Sequence, residues 1–472
     1  MRVMGPENTS ASGASRYDLL VIGGGPGGVR AARFAAQRGL RVAVVEGARY
    51  GGTCVNVGCV PKKLFFHAAH AGEVMRDAGG FGWQLEGSPR HYWPMLREGI
   101  AAYLARLNRI YERMLDDAGV TRIAGWARFL DEHRVAIEVE RGDALEHLEV
   151  RADHILVATG GRPRALELEG GELAKSSDGF FALADRPRSA LVLGGGYIGV
   201  ELASVLHGLE VPTTLAYRGE LPLSRFDDDL RRRLDEALRA ALPVRARVSP
   251  SRLERTERGL IRVHFDDGGP PCEVELVLAA IGRRPNVERL NLSAAGIAQR
   301  AVSSAIEVDE RYRTSRPHIF AVGDVIDRVQ LTPVALAEAM RVVSQLVGEE
   351  PERLDYDLVP TTVFTHPNVG TVGLSEGEAR ARGIDVAIFE TEFRPLHQAL
   401  SSNPRRVYMK LVVCRETDRV LGFHMLGDDA GEQLQGLAVA MQAAVTKRQL
   451  DRTVGIHPTM AEEWVTMRSP RA

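Results

Sequence analysis

Two cysteines, Cys54 and Cys59, lie five residues apart in the glycine-rich stretch GGTCVNVGCVPKK at positions 51–63. Two neighbouring thiols can take up and release two electrons as a disulfide forms and breaks, so the pair predicts thiol–disulfide chemistry. Residues five apart on a straight helix rise about 7.5 Å and point about 140° apart, whereas the Cα atoms of a disulfide are usually within about 7 Å. A Cys54–Cys59 bond therefore requires a distorted turn, which Gly58 and Pro61 could provide.

Two other kinds of site would also use a cysteine pair. A zinc site usually needs a second pair of ligands, but the two remaining cysteines, Cys272 and Cys414, are single and distant. A disulfide in a chain without a secretion signal is more often redox-active than structural. We expect the first sixteen residues, which are small and polar, to be a disordered tail and not such a signal. The pattern therefore favours a redox-active pair in a cytoplasmic protein, and we expect no metal site.

A phosphate-binding loop is predicted near the N-terminus. Gly23, Gly25 and Gly28 form a GxGxxG pattern between the apolar run Leu19–Ile22 and a small-residue helical stretch. Such glycines allow a sharp turn and let backbone N–H groups at a helix N-terminus approach a pyrophosphate. Glu46 ends the next apolar run, 46 − 23 = 23 residues on, where an acid accepts hydrogen bonds from a ribose 2′-OH. The pattern predicts an adenine-dinucleotide site; the alternative is a glycine-rich turn in an unrelated α/β domain.

The same pattern recurs about 170 residues later, at Gly194, Gly196 and Gly199. The position equivalent to Glu46 is Tyr217, which is followed by Arg218, with Arg225 a few residues further on. A missing acid and added cations are typical of a site for a 2′-phosphate, which favours NADPH over NADH. The alternative is that both arginines are solvated loop charges. Two dinucleotide sites in one chain indicate two cofactors that exchange electrons.

Length, charge and periodicity predict an α/β protein of several domains. The 472 residues suggest about three domains, and the formal net charge of −2 gives no basic excess for binding nucleic acid. The sequence has no run of eighteen apolar residues that would predict a membrane span. Residues 73–115 read as mostly helical, and residues 120–157 as an antiparallel meander packed on the first nucleotide domain. Further predicted elements are a helix at 333–347, strands near 407–413 and 420–425, and a helix near 433–444.

Several motifs together make a family resemblance specific. Beside the cysteine stretch they are GGGYIGVE at 194–201, the ATG segment at 158–160, FAVGD at 320–324, LTPVAL at 331–336 and HPTMAEEWVTMR at 457–468. From about Tyr17 to Arg468 the chain resembles the class I pyridine nucleotide–disulfide oxidoreductases, and most closely their glutathione reductase branch. The resemblance implies an α/β fold with two Rossmann-like dinucleotide-binding domains. It also implies a central region and a C-terminal α+β dimerisation domain. We expect a tail at 1–16, the FAD-binding domain at 17–157, the NADPH-binding domain at 158–285, a central domain at 286–357 that completes the FAD site, and the interface domain at 358–472.

The resemblance also implies a role for each residue of the predicted centre. Cys59 is the flavin-proximal, charge-transfer thiol, and Cys54 is the interchange thiol that attacks the substrate disulfide. Lys62 lies by the flavin and pairs with Glu201, and Tyr197 gates the nicotinamide pocket. The residues expected to contact the two cofactors are Gly23, Gly25, Pro26, Gly27, Gly28, Glu46, Gly52, Thr53, Cys54, Lys62, Ala127, Thr159, Gly160, Asp324, Thr332, Gly194, Gly196, Ile198, Gly199, Glu201, Arg218, Arg225, Gly282 and Arg283.

His457 is implied as the acid–base catalyst, supplied by the partner subunit and oriented by Glu462. A histidine suits this role because its ordinary pKa lies near neutrality. Residues 459–462, TMAE, also form a capping-box pattern, so Glu462 could instead start a helix; a carboxylate can do both. A site shared between subunits makes a homodimer the expected state.

The expected substrate is glutathione disulfide, whose four carboxylates require a basic pocket. Arg33 and Tyr111 match glutathione-binding positions of the family, and Lys63 would add a cation; a solvated arginine and a core tyrosine are the alternatives. Gly199 is the NAD-like choice where many NADPH enzymes have alanine. An NADH-using reductase of a modified glutathione and a dihydrolipoamide dehydrogenase therefore remain alternatives, as does a non-catalytic flavin-binding redox sensor.

Overall fold

The computed structural model describes residues 15–87, 89–142, 144–401 and 403–471. The strands, in chain order, are β1 (Ser15–Ile22), β2 (Val42–Glu46), β3 (Thr121–Ala124), β4 (Trp126–Phe129), β5 (Arg134–Arg141), β6 (Ala144–Val157), β7 (Gly161–Pro163), β8 (Lys175–Ser176), β9 (Ala190–Leu193), β10 (Thr213–Tyr217), β11 (Val244–Ala246), β12 (Pro250–Arg255), β13 (Ile261–Phe265), β14 (Cys272–Val274), β15 (Leu276–Ala279), β16 (Arg283–Pro285), β17 (Ile319–Ala321), β18 (Thr361–Val363), β19 (Val369–Gly373), β20 (Val386–Phe393), β21 (Val407–Cys414) and β22 (Val420–Leu426).

The helices are α1 (Pro26–Gln37), α2 (Gly52–Asn56), α3 (Cys59–Asp77), α4 (Trp93–Asp117), α5 (Ser177–Phe181), α6 (Tyr197–Gly208), α7 (Asp228–Ala241), α8 (Thr332–Leu346), α9 (Glu376–Ala381), α10 (Ala430–Gln442), α11 (Lys447–Arg452) and α12 (Glu463–Thr466). Within the described ranges, no helix combines the length and the apolar character needed to cross a membrane.

One compact unit contains residues 15–61, 98–164 and 283–354. Its sheet has the order β3-β2-β1-β6-β5-β4, and β17 pairs with β6. β1 runs parallel to both β2 and β6, so the predicted strand, loop, helix and strand around the first glycine loop are confirmed. β1 and β2 carry near-continuous apolar runs because parallel strands are covered on both faces, and their apolar side chains are buried in this unit's core.

The region at 120–157 is only partly as predicted. β4, β5 and β6 form the expected antiparallel meander. Its apolar side chains, among them Phe129, Val135 and Ile137, share one core with β1 and β2, as expected. β6 departs from a simple meander strand, because it continues for 14 residues and its later half pairs in parallel with β1. β3 also differs, since it pairs in parallel with β2. The alternating pattern predicts strands correctly, but a period of two does not identify the neighbouring strand.

Two further local expectations need correction. The helical stretch expected at 73–115 is interrupted, because α3 ends at Asp77 and α4 begins only at Trp93. The interruption contains Gly82, whose φ of 84° is a left-handed conformation that favours glycine. At the N-terminus, β1 begins at Ser15, so the tail expected at 1–16 overlaps this strand by two residues. The rest of that predicted tail lies outside the described residues.

The second unit contains residues 62–97, 165–282 and 355–471. It has a five-stranded parallel sheet, β11-β10-β9-β15-β8, and a three-stranded antiparallel sheet, β12-β13-β14. A five-stranded antiparallel sheet of order β18-β19-β22-β21-β20 packs with α10, α11 and α12 around a separate core. The α+β unit expected near the C-terminus is thus present, with β21, β22 and α10 within about three residues of their predicted bounds.

Candidate redox-active site

The cysteine pair lies where one short helix ends and a longer one begins. α2 ends at Asn56 and α3 begins with Cys59, so the two cysteines are not on one straight helix. Val57 breaks the helix with φ −144° and ψ 32°, and a Cβ on Gly58 would lie 2.8 Å from the carbonyl oxygen of Thr53. The distorted turn that the pairing requires is therefore present. Pro61 is not part of the break but lies in the first turn of α3, where proline is tolerated.

The sulfurs of Cys54 and Cys59 are not joined by a disulfide in the structure, and their surroundings differ. Cys54 is partly buried, and its hydrogen bond to the Cys59 sulfur, together with this burial, raises the pKa of the Cys54 thiol. Cys59 is more exposed, and its Sγ lies 3.7 Å from Oγ1 of Thr332, the first residue of α8. The arrangement favours a protonated Cys54 beside a Cys59 sulfur that accepts the hydrogen bond.

Two asparagines hold α2 in place. The Asn56 side-chain amide donates to the carbonyl oxygens of Tyr50 (3.2 Å) and Gly52 (2.9 Å). Asn108, on α4, donates to the same Tyr50 oxygen at 2.8 Å and to Asn56 Oδ1 at 2.9 Å. Because these are partly buried hydrogen bonds, they fix the segment that carries Cys54. The sequence reasoning missed Asn108, which is distant in the chain and belongs to no motif.

The first glycine loop is sterically restricted. Gly23 has φ 110°, and a Cβ there would lie 2.4 Å from the Ala158 carbonyl oxygen; a Cβ on Gly28 would lie 1.9 Å from the Gly23 oxygen. Gly25, in contrast, has only the Gly52 Cα, at 4.0 Å, near its Cβ position. Glu46 accepts hydrogen bonds at 2.7 Å from the Gly24 N–H and from the backbone of the following turn. Burial raises the pKa of Glu46.

The second loop repeats this geometry. Gly194 has φ 131°, and a Cβ there would lie 2.2 Å from the Ala280 carbonyl oxygen. A Cβ on Gly199 would lie 1.9 Å from the Gly194 oxygen, while the space at Gly196 is open. The two loops therefore have the same tight contacts at equivalent glycines, and the internal repeat is confirmed in three dimensions.

Tyr217 occupies in the second loop the place of Glu46 in the first. Its ring lies against Gly195, its side chain is buried, and its hydroxyl donates to Asp235 at 2.6 Å. Tyr217 therefore supplies no acid for a ribose hydroxyl. Arg218 and Arg225 are exposed, and neither has an ion-pair partner among the residues that the structure describes. Their exposure fits a site for an anionic ligand and also the alternative of solvated loop charges, so the 2′-phosphate site stays a prediction.

Apart from Lys62, which belongs to the second unit, the other residues expected at the first dinucleotide lie in the same compact unit as its loop. Gly27 lies against Ala335 of α8, and Pro26 is the first residue of α1. Asp324 follows β17, and burial raises its pKa. The remaining predicted contacts of this unit are Gly52 and Thr53 in α2, Ala127 in β4, Thr159 and Gly160 after β6, Thr332 in α8 and Arg283 in β16.

Lys62 and Glu201 form the pair that the sequence predicts. Lys62 Nζ lies 2.7 Å from Glu201 Oε1, and both side chains are largely buried. The backbone N–H of Phe364 donates to the same oxygen at 2.8 Å, and the Lys62 ammonium lies 4.0 Å from the Phe364 ring centre. Lys63 contacts that ring at 3.7 Å, and burial lowers the pKa of Lys63. Phe364, which no motif indicated, thus supports both lysines.

The other predicted nucleotide residues of the second unit lie close to its loop in the chain. Tyr197, the first residue of α6, has 41% of its surface exposed, and Ile198 follows it. Gly282 has φ 118°, a conformation that favours glycine.

His457 and Glu462 form a second predicted pair. His457 Nδ1 lies 3.0 Å from Glu462 Oε1, and the histidine side chain is 82% exposed. Thr459 accepts a hydrogen bond from the Glu462 N–H at 3.3 Å, so Glu462 starts a helical turn and holds the histidine at once. Because Glu462 engages Nδ1, the other ring nitrogen, Nε2, faces away from the carboxylate.

Tyr111 and Arg33, the predicted substrate residues, lie in the first unit. Burial raises the pKa of Tyr111, and negative charge on Cys54 in its thiolate form adds to this effect. Tyr111 is therefore within electrostatic range of the cysteine pair. Arg33 lies 5.1 Å from the Phe34 ring, and Arg30 lies 5.0 Å from the same ring. The sequence reasoning missed Arg30, although its spacing of three from Arg33 places both on one helix face.

Two dinucleotide-type loops, a dithiol and a histidine–carboxylate pair define a nucleotide-dependent disulfide oxidoreductase. Residues 17–339 match the model of the pyridine nucleotide-disulphide oxidoreductase family, and residues 359–468 match the model of its dimerisation domain. The chain belongs to this family.

Three curated relatives carry the name glutathione reductase. The protein from Burkholderia cepacia is 41% identical over 456 residues, which cover 96% of this chain and 99% of the relative. The protein from Nostoc sp. is 39% identical over 464 residues, with the same coverage of both chains. The chloroplastic/mitochondrial protein of Pisum sativum is 40% identical over 465 residues, which cover 96% of this chain and 82% of the relative.

Proposed function

We propose that the protein is an FAD-containing, NADPH-dependent reductase of glutathione disulfide. The observation that carries the proposal is the contact between the Cys54 and Cys59 thiols at the break between α2 and α3. A pair of thiols in this arrangement can exchange two electrons with a substrate disulfide. The three relatives named glutathione reductase, each matched over almost the whole chain, support the choice of substrate.

FAD fits the first loop. Open space beside Gly25 and the N-terminus of α1 suit its pyrophosphate, and Glu46 ends β2 where the ribose is held. Asp324 and Thr332 lie near the dithiol side of the same unit. When bound, FAD supplies a carrier that takes hydride from a nicotinamide and passes electrons to sulfur.

NADPH fits the second loop. Gly196 leaves open space at the N-terminus of α6, and Arg218 with Arg225 offers two accessible cations for a 2′-phosphate. Tyr217, turned towards Asp235, cannot hold the 2′-OH of NADH as an acid would. We propose Tyr197 as the residue that would gate the nicotinamide, and Lys62, held by Glu201 at 2.7 Å, as the cation that would serve the flavin.

The sulfur chemistry follows from the unequal thiols. His457 takes the proton of the Cys54 thiol at Nε2, and the resulting Cys54 thiolate attacks one sulfur of glutathione disulfide, so the substrate S–S bond breaks and a mixed disulfide forms. Protonated His457 gives its proton to the departing glutathione thiolate. Cys59 then attacks the Cys54 sulfur, which releases the second glutathione and forms the Cys54–Cys59 disulfide. Glu462 holds His457 through Nδ1, so Nε2 carries the mobile proton.

We propose Arg33, with the neighbouring Arg30, as a binding residue for the substrate carboxylates in the first unit. Lys63 is proposed as a further cation for the substrate, and Tyr111 as a substrate residue within electrostatic range of Cys54. His457 acts from a second copy of the chain. The match of residues 359–468 to a dimerisation domain supports this homodimer. We also propose a cytoplasmic location, where reduced glutathione is maintained.

The deciding experiment measures NADPH oxidation by the purified, yellow protein with glutathione disulfide, with lipoamide and with NADH as the alternative nucleotide. We expect rapid turnover only with NADPH and glutathione disulfide. Neutralising both cations, Arg218→Gln with Arg225→Gln, should raise KM for NADPH by roughly 10–100-fold and leave NADH almost unchanged, because charge-assisted contacts are worth about 1.5–3 kcal/mol. Arg188→Gln, an exposed arginine paired with Glu275, is the matched control.

Turnover with lipoamide and not with glutathione disulfide would contradict the proposed substrate. Failure of NADPH to reduce the bound flavin would instead indicate a non-catalytic flavoprotein. Equal effects of the double variant on both nucleotides would mean that the arginines recognise a feature that NADPH and NADH share.

A further inference from the structure

Three potential metal ligands meet within the second unit. They are His70 and Glu73 on α3 and His366 in the segment between β18 and β19, all in the second unit. One donor atom from each residue lies within 4.8 Å of the other two. Glu73 Oε2 lies 3.7 Å from Nδ1 of His70 and 3.7 Å from Nδ1 of His366.

These distances are too long for hydrogen bonds but suit ligands around a metal ion. Two ligands that are each about 2.1 Å from a tetrahedral Zn²⁺ lie about 3.4 Å from one another. The two distances from Glu73 Oε2, to His70 Nδ1 and to His366 Nδ1, therefore need to shorten by only a few tenths of an ångström to fit this geometry. His70 and Glu73 are three apart on α3, which places them on one face of the helix.

His366 supplies an independent observation. Its side chain is only 7% exposed, and neither ring nitrogen has a hydrogen-bond partner among the described residues. Buried polar groups without a partner are rare and costly in proteins. Its ring stacks on Phe66 at 4.3 Å between ring centres, which limits its freedom to turn towards other partners. The His366 ring is thus held near Glu73, and both of its ring nitrogens are available to bind a metal ion.

The surrounding charges favour a cation. Arg405 forms an ion pair with Glu73, and Asn403 donates to Oε1 of Glu73 at 2.8 Å, which leaves Oε2 facing the histidines. The carboxylate of Asp428 is within electrostatic range of both Glu73 and His366. Two carboxylates, Glu73 and Asp428, and one guanidinium, Arg405, therefore lie near the site, and Asp428 also contacts His397 Nε2 at 3.1 Å.

We propose that His70, Glu73 and His366 form a binding site for a divalent transition-metal ion of the Zn²⁺ class. Two imidazoles and one carboxylate are a ligand set that Zn²⁺ accepts, with a fourth position left for water. His70 is 45% exposed, which gives the ion a route from solvent. The site departs from the absence of metal expected from the sequence, because His366 is almost 300 residues from its two partners in the chain.

The test titrates the FAD-containing protein, without reductant, with ZnCl₂ by isothermal titration calorimetry. At metal sites even an outer hydrogen-bonding partner contributes about 10–100-fold in affinity, so His70→Ala should weaken this binding at least tenfold. His67→Ala, an exposed histidine one turn earlier on the same helix, is the matched control and should bind as the parent does. Arg405→Gln should tighten binding by about tenfold, because it removes a cation beside the site.

Glu73→Gln provides a second ligand variant, and it should also weaken Zn²⁺ binding at least tenfold. His70→Ala changes a half-exposed side chain, so it keeps the test valid even if Glu73→Gln does not fold. Binding to the dithiol or to surface histidines would persist equally in His70→Ala and His67→Ala. Equal Zn²⁺ affinities of His70→Ala and His67→Ala, or no Zn²⁺ binding by the parent protein, would overturn the proposal.

Discussion

At the scale of single residues, the two thiols are similar in type and unequal in surroundings. Cys54 is partly buried and donates its hydrogen bond to Cys59, so its pKa is raised. Cys59 is the more exposed thiol and lies beside Thr332. We therefore expect the two thiols to have different roles, which variants that lack one thiol at a time can separate.

The Cys54→Ser variant should show long-wavelength charge-transfer absorbance before any reductant is added. Its Cys59 has no disulfide partner and so remains available as a thiolate donor beside the flavin. Lowering the pH should abolish the band, because the thiolate is the donor. The Cys59→Ser variant should lack the band at every pH, while its Cys54 still reacts with a thiol reagent; visible spectra recorded as a function of pH measure both.

Both variants should lose disulfide turnover yet pass electrons from NADPH to a small artificial acceptor, which controls for intact nucleotide and flavin binding. A band in Cys59→Ser that is missing from Cys54→Ser would reverse the assignment. Normal turnover of glutathione disulfide in either variant would contradict a dithiol mechanism.

At the scale of elements, the sequence patterns predicted those features that depend on contacts between residues close together in the chain. The two glycine loops and their flanking strands and helices follow from contacts between residues close in sequence, such as Gly28 with Gly23. The sequence pattern did not predict which distant segments contact one another. The position of β3 beside β2 and the clamp of Asn108 on α2 depend on tertiary packing, which no period of two or 3.6 encodes. The family and the α/β fold are confirmed, and the roles of the site residues stay predictions.

Gly28→Ala tests the steric basis of the first loop. A Cβ at this position would lie 1.9 Å from a backbone oxygen, so the loop or α1 must shift, at a cost of about 1–3 kcal/mol or more. We expect loss of bound FAD, measured as flavin absorbance per protein, and a lower thermal midpoint.

Gly99→Ala is the matched control, since this glycine lies in α4 with no atom within 4 Å of its Cβ position. It should retain FAD and gain up to about 1 kcal/mol, because alanine favours helix more than glycine. If Gly28→Ala retained FAD and melted with the parent protein, the close approach of the loop backbone would not matter for cofactor binding.

At the scale of the whole molecule, the match to a dimerisation domain and the highly exposed His457 together favour catalysis across two subunits. A histidine that serves its own chain has no need to be 82% exposed beside a carboxylate that fixes its orientation. The exposed ring is instead suited to meet a thiol presented by a second copy.

Mixing inactive Cys54→Ser chains with inactive His457→Ala chains should therefore restore activity after subunit exchange. Random pairing makes half of the dimers mixed, and each mixed dimer has one intact site, so we expect about a quarter of the parent activity. Native mass spectrometry of differently tagged chains measures the exchange independently. Complete exchange without recovered turnover would show that His457 and Cys54 act within one subunit.

Both compact units are built from three separate stretches of chain, and this has a consequence for how the protein is made. The first unit needs residues 283–354, including β17, which pairs with β6. A ribosome that adds about 5–20 residues per second has emitted all of the second unit's central stretch, 165–282, before β17 emerges. During synthesis, the nucleotide loop of the first unit therefore belongs for a time to a sheet that lacks β17. Its open edge beside β6 is a place where a chaperone could protect the nascent chain.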